Sequence, residues 1–142
     1  MGSYLTPRLE AAGVSPLVNH IIVSVLWTSW HLPYYYYYLD RAQLESAIIT
    51  SIPVFIALAF FVQIPTSILF GELRLISKST WTVFLLHQMI NAISMPLLMN
   101  GFIEVKGALA PVFTPTNEGL IVSALFGLVG WMLMKYRLKQ TA

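Results

Sequence analysis

An all-α, polytopic transmembrane helical bundle of about four spans is the fold this sequence predicts, on three observations. Of its 142 residues 57% are hydrophobic and 10% charged, whereas soluble domains carry about 25% charged residues. Four stretches, about 16–38, 46–70, 80–99 and 119–134, reach or approach the roughly 20 apolar residues that a helix needs to cross a bilayer. Within them, runs such as IALAFFV and ALFGLVGWMLM are continuous, without the apolar–polar alternation of a membrane β-barrel.

The same composition excludes several functions. A formal charge of +2 with scattered basic residues argues against a nucleic-acid partner. The chain has no cysteine, which removes disulfides, a thiolate nucleophile and thiolate metal sites. The start, MGSYLTPRLEAAG, lacks the basic-then-apolar pattern of a secretory signal peptide. Between 100 and 118, Gly107, Pro111 and Pro115 interrupt regular structure, so residues 1–142 read as a single integral domain.

The opening segment to Pro16 reads as a short polar juxtamembrane stretch, with Ser15-Pro16 leading into the first helix. That helix is expected to kink or end near Leu32, because a residue before proline disfavours helical geometry. Tyr34 to Tyr38 come next and read as an anchor at the membrane interface, where rings sit in the apolar edge and hydroxyls in the wet one. The second segment tolerates Pro53 and Pro65 in a lipid setting, and its Gln63 reads as structural. GELRLISKST then reads as a charged hairpin, with Ser79 or Thr80 capping the third segment. In the fourth, Gly119, Ser123 and Gly127 recur at four residues, a small-residue face suited to close helix packing.

With four spans, Arg8, Arg74, Lys78, Lys135, Arg137 and Lys139 fall on one side and Arg41 and Lys106 on the other. The positive-inside bias makes both termini cytoplasmic, with the plasma (inner) membrane as the expected location. Polar groups deep in a span are costly and usually face the bundle interior. His31, His87 and Asn91 are the three here. His31 lies roughly 22 Å into its helix and His87 roughly 10 Å into its own, while Asn91 comes one turn after His87 on the same face. Imidazole can activate water or donate to an oxyanion, and a carboxamide can only donate or accept hydrogen bonds. Two histidines can also hold a metal or a haem, and spacing does not choose.

The run SVLWTSWHLP resembles the second motif of the CPBP intramembrane proteases, the group containing CAAX prenyl proteases and bacteriocin-processing or immunity proteins. Trp27 stands where the family usually has Phe, four residues before His31. His87 and Asn91 resemble the third motif, a His with Asn or Asp four residues later, and YLTPRL is similar to the segment on the C-terminal side of the first motif. The resemblance spans roughly 3 to 95. It implies an intramembrane endopeptidase acting on a peptide or protein substrate: a glutamate base, assisted by His31, activates water, and His87 with Asn91 holds the oxyanion. The first motif, Glu-Glu-x-x-x-Arg, has no counterpart here, since aligning Tyr4 and Leu5 puts Gly2 at the Arg and Glu10 on the wrong side. The expectation is a C-terminal part of a longer protease, or a small protein that keeps the fold without hydrolysis. A non-catalytic membrane binding or immunity protein is the second reading and a bis-His haem or metal site the third. The resemblance calls for no cofactor, and the oligomeric state stays open.

Overall fold

In the computed structural model, the structure describes residues 2–38, 52–99, 102–103, 110–113 and 119–141. The helices are α1 (Gly2–Ala11), α2 (Pro16–Tyr37), α3 (Ile52–Ser77), α4 (Thr80–Met99), the single turn α5 (Ala110–Phe113) and α6 (Leu120–Thr141), and no strand occurs among the described residues. The all-helical expectation holds. By length and composition, α3 and α6 are each able to cross a membrane.

Local chemistry sets the helix ends. α1 closes in a Schellman motif: Gly13 adopts φ +77°, its N–H reaches the Glu10 carbonyl at 2.9 Å, and Val14 N–H reaches that of Leu9 at 3.0 Å. Pro16 then opens α2 in its first turn, where a missing N–H costs nothing. α3 stops at Ser77, and Lys78, at φ 54°, turns the chain into Ser79. Ser79 Oγ accepts the Trp81 N–H at 3.2 Å, so Ser79 caps α4 as expected.

The axis of the bundle is α3, which packs most extensively on α6 and α2, and also on α1 and α4. α3 and α6 run parallel, because their contacts advance together along both helices. Ser123 Oγ donates to the Val62 carbonyl at 3.2 Å; a Cβ on Gly127 would lie 3.3 Å from that of Pro65, and one on Gly130 2.7 Å from the Leu69 nitrogen. The small-residue face therefore serves packing, with Gly130 the tightest point. α2 runs antiparallel to α3: Tyr35 meets Phe55 at 5.1 Å between ring centroids, while at the other end His20 meets Glu72.

Three boundaries differ from the sequence reading. α2 does not end near Leu32 but continues through Pro33 to Tyr37, so Tyr34 to Tyr37 stand on helix and Tyr38 caps it, with His31 stacked on Tyr35 at 5.9 Å. The charged stretch expected as a hairpin is mostly helix, since Glu72 and Arg74 belong to α3 and only Lys78 and Ser79 turn. α6 likewise runs past the expected end at 134, into the basic tail. In the last two cases buried pairing of Glu72 and Arg137 makes helix compatible with charge. Residues 46–51, within the second expected span, lie outside the described residues.

Candidate functional site

One face of α2 organises the site. His20, Ser24, Trp27 and His31 recur at four, three and four residues, so they lie on a single stripe about 16 Å long. Trp27 sits in the middle of the imidazoles. Its ring is 5.5 Å from that of His31 and 5.6 Å from that of His87 on α4, edge to face with the latter. Phe70 of α3 closes the other side, 6.0 Å from the His87 ring.

The hydrogen bonds fix the protons. His31 Nδ1 lies 2.8 Å from the Trp27 carbonyl, and a carbonyl only accepts, so Nδ1 carries the hydrogen, and in the neutral ring Nε2 keeps a lone pair. Asn91 Nδ2 donates to His87 Nε2 at 3.2 Å, which leaves the His87 hydrogen on Nδ1 and a second amide hydrogen on Asn91. A cavity of about 210 Å³ opens beside this cluster, walled by Gly2, Trp27, Thr66, Phe70, Gly71 and His87 among others. His87 faces it directly; His31 stands behind Trp27, and Asn91 is exposed one turn along α4. Gln63, read as structural, is also on the wall.

At the other end of the stripe lies a second polar cluster, buried at His20 and Glu72 and opening outward at Arg137 and Glu10. His20 Nε2 is 2.8 Å from Glu72 Oε1. Arg137 of α6 donates from Nε to Glu72 Oε2 at 2.6 Å and from Nη2 to Oε1 at 3.0 Å, a two-point clamp, while Nη1 bonds Glu10 of α1. Glu72 and His20 have no exposed side-chain surface. A carboxylate in that position is tolerable only because it is paired and hydrogen-bonded. The α1–α2 contact adds Asn19 Nδ2, which donates to the Thr6 carbonyl at 2.8 Å. Gly71 completes the cluster: a Cβ there would overlap the His20 ring.

Of the residues expected from sequence, His31 and His87 share Trp27, and Asn91 bonds His87. His20, Glu72 and Arg137 were not expected as a cluster. The available signal was the spacing of His20, Ser24 and Thr28 at four residues, polar positions on an otherwise apolar helix. Among the described residues no group of three or more His, Asp or Glu is placed to hold a metal ion.

The family model for the type II CAAX prenyl endopeptidases, Rce1-like, matches residues 2–93, which take in α1, α2, α3 and most of α4, with Trp27, His31, His87 and Asn91 inside the match. No curated protein and no solved structure matches the chain. With nearly two thirds of its length matched, including every helix that lines the cavity, the chain belongs to the Rce1-like family of type II CAAX prenyl endopeptidases.

Proposed function

We propose that the chain carries the oxyanion and water-assisting groups of an intramembrane endopeptidase acting on a peptide or protein substrate. The observation that carries this reading is the Trp27 ring set between His31 and His87, with Asn91 bonded to His87. His31 Nε2, its lone pair left free by the Nδ1 hydrogen bond, accepts a hydrogen bond from the water and orients it for the base. The His87 Nδ1–H and the second Asn91 amide hydrogen donate to the oxygen of the developing tetrahedral intermediate. The apolar walls of the cavity suit the hydrophobic portion of such a substrate.

In this reading the base is a glutamate that the described residues do not supply to the cavity. Glu10 and Glu72 are held by Arg137 at the far end of the stripe. Gly2, which aligns with the motif arginine, lines the cavity, so residues placed just ahead of Tyr4 arrive at the site. Removing one member of a catalytic unit typically costs many powers of ten in rate; without a glutamate at the cavity the chain is therefore expected to be inactive. The test compares the chain with a version bearing Glu-Glu-x-x-x-Arg ahead of Tyr4, both in lipid nanodiscs with a CAAX-type peptide. Turnover by the extended chain alone, lost in His31→Ala and His87→Ala, supports the reading. Turnover unchanged by either substitution overturns it.

A non-catalytic binding or immunity role is the second reading, favoured by the engagement of both described glutamates with Arg137. It requires a cellular phenotype that survives in chains with no turnover. Four spans with both termini cytoplasmic complete the proposal. In support, the N-terminal end of α2, the C-terminal ends of α3 and α6 and the start of α4 lie together, and with them the more basic side.

A further inference from the structure

Six buried polar side-chain atoms at the junction of α1, α2 and α3 have no protein partner among the described residues: Thr6 Oγ1, Asn19 Oδ1, His20 Nδ1, Ser24 Oγ, Thr28 Oγ1 and Thr66 Oγ1. Their residues are all at most 3% exposed. A buried polar atom left unsatisfied costs about 1–3 kcal/mol, so six in one junction call for partners that the described residues do not supply. The usual internal remedy is closed to Ser24. A helical serine normally bonds the carbonyl four residues back, here that of His20. That oxygen already takes the Ser24 N–H of the helix and the Ser67 hydroxyl, the latter at 2.9 Å, and a carbonyl has two lone pairs.

The remaining groups define what the ligand is. Glu72, clamped by Arg137, only accepts, so His20 donates from Nε2, and in the neutral ring Nδ1 is an acceptor. Asn19 Oδ1 is a second acceptor, while the four hydroxyls both donate and accept. A mixed set of this kind, without spare charge, fits a small neutral donor–acceptor: water. Thr66 belongs both to this set and to the cavity wall. His20 and the Thr6 methyl also meet the empty side of Gly71, another wall residue.

We propose that α1, α2 and α3 enclose an internal water site, running from the His20–Glu72 pair past Ser24, Thr28 and Thr66 to the cavity beside His87. His20 is a positioning residue in this site, its tautomer set by Glu72. The site's existence does not depend on hydrolysis; its role as the store of hydrolytic water rests on the endopeptidase reading.

The test is water-edited solid-state NMR on the full chain in lipid bilayers, with ¹⁵N-labelled histidine and ¹³C-labelled methyl groups. The three histidine signals are assigned with His31→Gln and His87→Gln. The expected result is polarisation passing from water to His20 faster than to the methyls of Val23 and Ile68, buried apolar neighbours on α2 and α3. Ser24→Ala with Thr66→Val, checked for an unchanged helical circular dichroism spectrum, slows the transfer to His20. Transfer to His20 no faster than to those methyls, or unaffected by the double substitution, overturns the proposal. Loss of turnover in the extended chain bears on the endopeptidase reading alone and leaves this result standing.

Discussion

Arg137 touches more of the molecule than any single side chain suggests, since it joins α6 to Glu10 of α1 and Glu72 of α3, and Glu72 in turn holds His20 of α2. Arg137→Met leaves Glu72 charged, buried and short of its main partner. Breaking a buried pair from one side costs about 3–5 kcal/mol, so the thermal unfolding temperature of the nanodisc-embedded chain falls. Arg137→Met with Glu72→Leu recovers part of that loss, because apolar replacement of both partners removes the unpaired charge; a double variant weaker than the sum of the singles contradicts the clamp. At the other cluster, Asn91→Ala frees His87 Nε2 and, on the proposed endopeptidase function, removes one oxyanion donor. In the chain extended by Glu-Glu-x-x-x-Arg, kcat is then expected to fall by about 10²–10³-fold, measured against unchanged folding.

Helix pairs are decided by small residues, and the two glycines of the α3–α6 contact differ in a testable way. Gly130→Ala places a Cβ 2.7 Å from the Leu69 backbone, while Gly127→Ala meets only the Pro65 ring at 3.3 Å. Overpacking of that kind costs about 1–3 kcal/mol, so Gly130→Ala lowers the unfolding temperature clearly more than Gly127→Ala. The small-residue spacing that marks this face was legible in the sequence, as were the four long helices, because both are periodic and local. Glu72 and Arg137 were not. Each stands beside other charges, and a charged run reads as a solvated end unless the partner 65 residues away is known. His20 escaped for the same reason: its meaning comes from Glu72 on another helix. His31, His87 and Asn91 stand out as short motifs, but the Trp27 ring that lies between the two histidines required the fold.

Across the whole molecule, the register of α2, α3, α4 and α6 gathers the more basic ends on one side, and the absence of cysteine makes that arrangement directly measurable. Lys78→Cys and Lys139→Cys are expected to react with a membrane-impermeant maleimide from the same face of sealed vesicles, and Tyr37→Cys from the opposite face; reaction of the two lysine sites from opposite faces contradicts the parallel course of α3 and α6. That parallel course also sets a timetable for the chain's birth. Glu72 leaves the ribosome 65 residues before the arginine that clamps it, an interval of roughly 3–13 s at about 5–20 residues per second. During it, α3 has a carboxylate near its end and only His20 to meet it. Pairing of Glu72 with Arg137 thus waits for α6, and a nascent chain arrested before Arg137 would hold the end of α3 at the lipid headgroups rather than among its final neighbours.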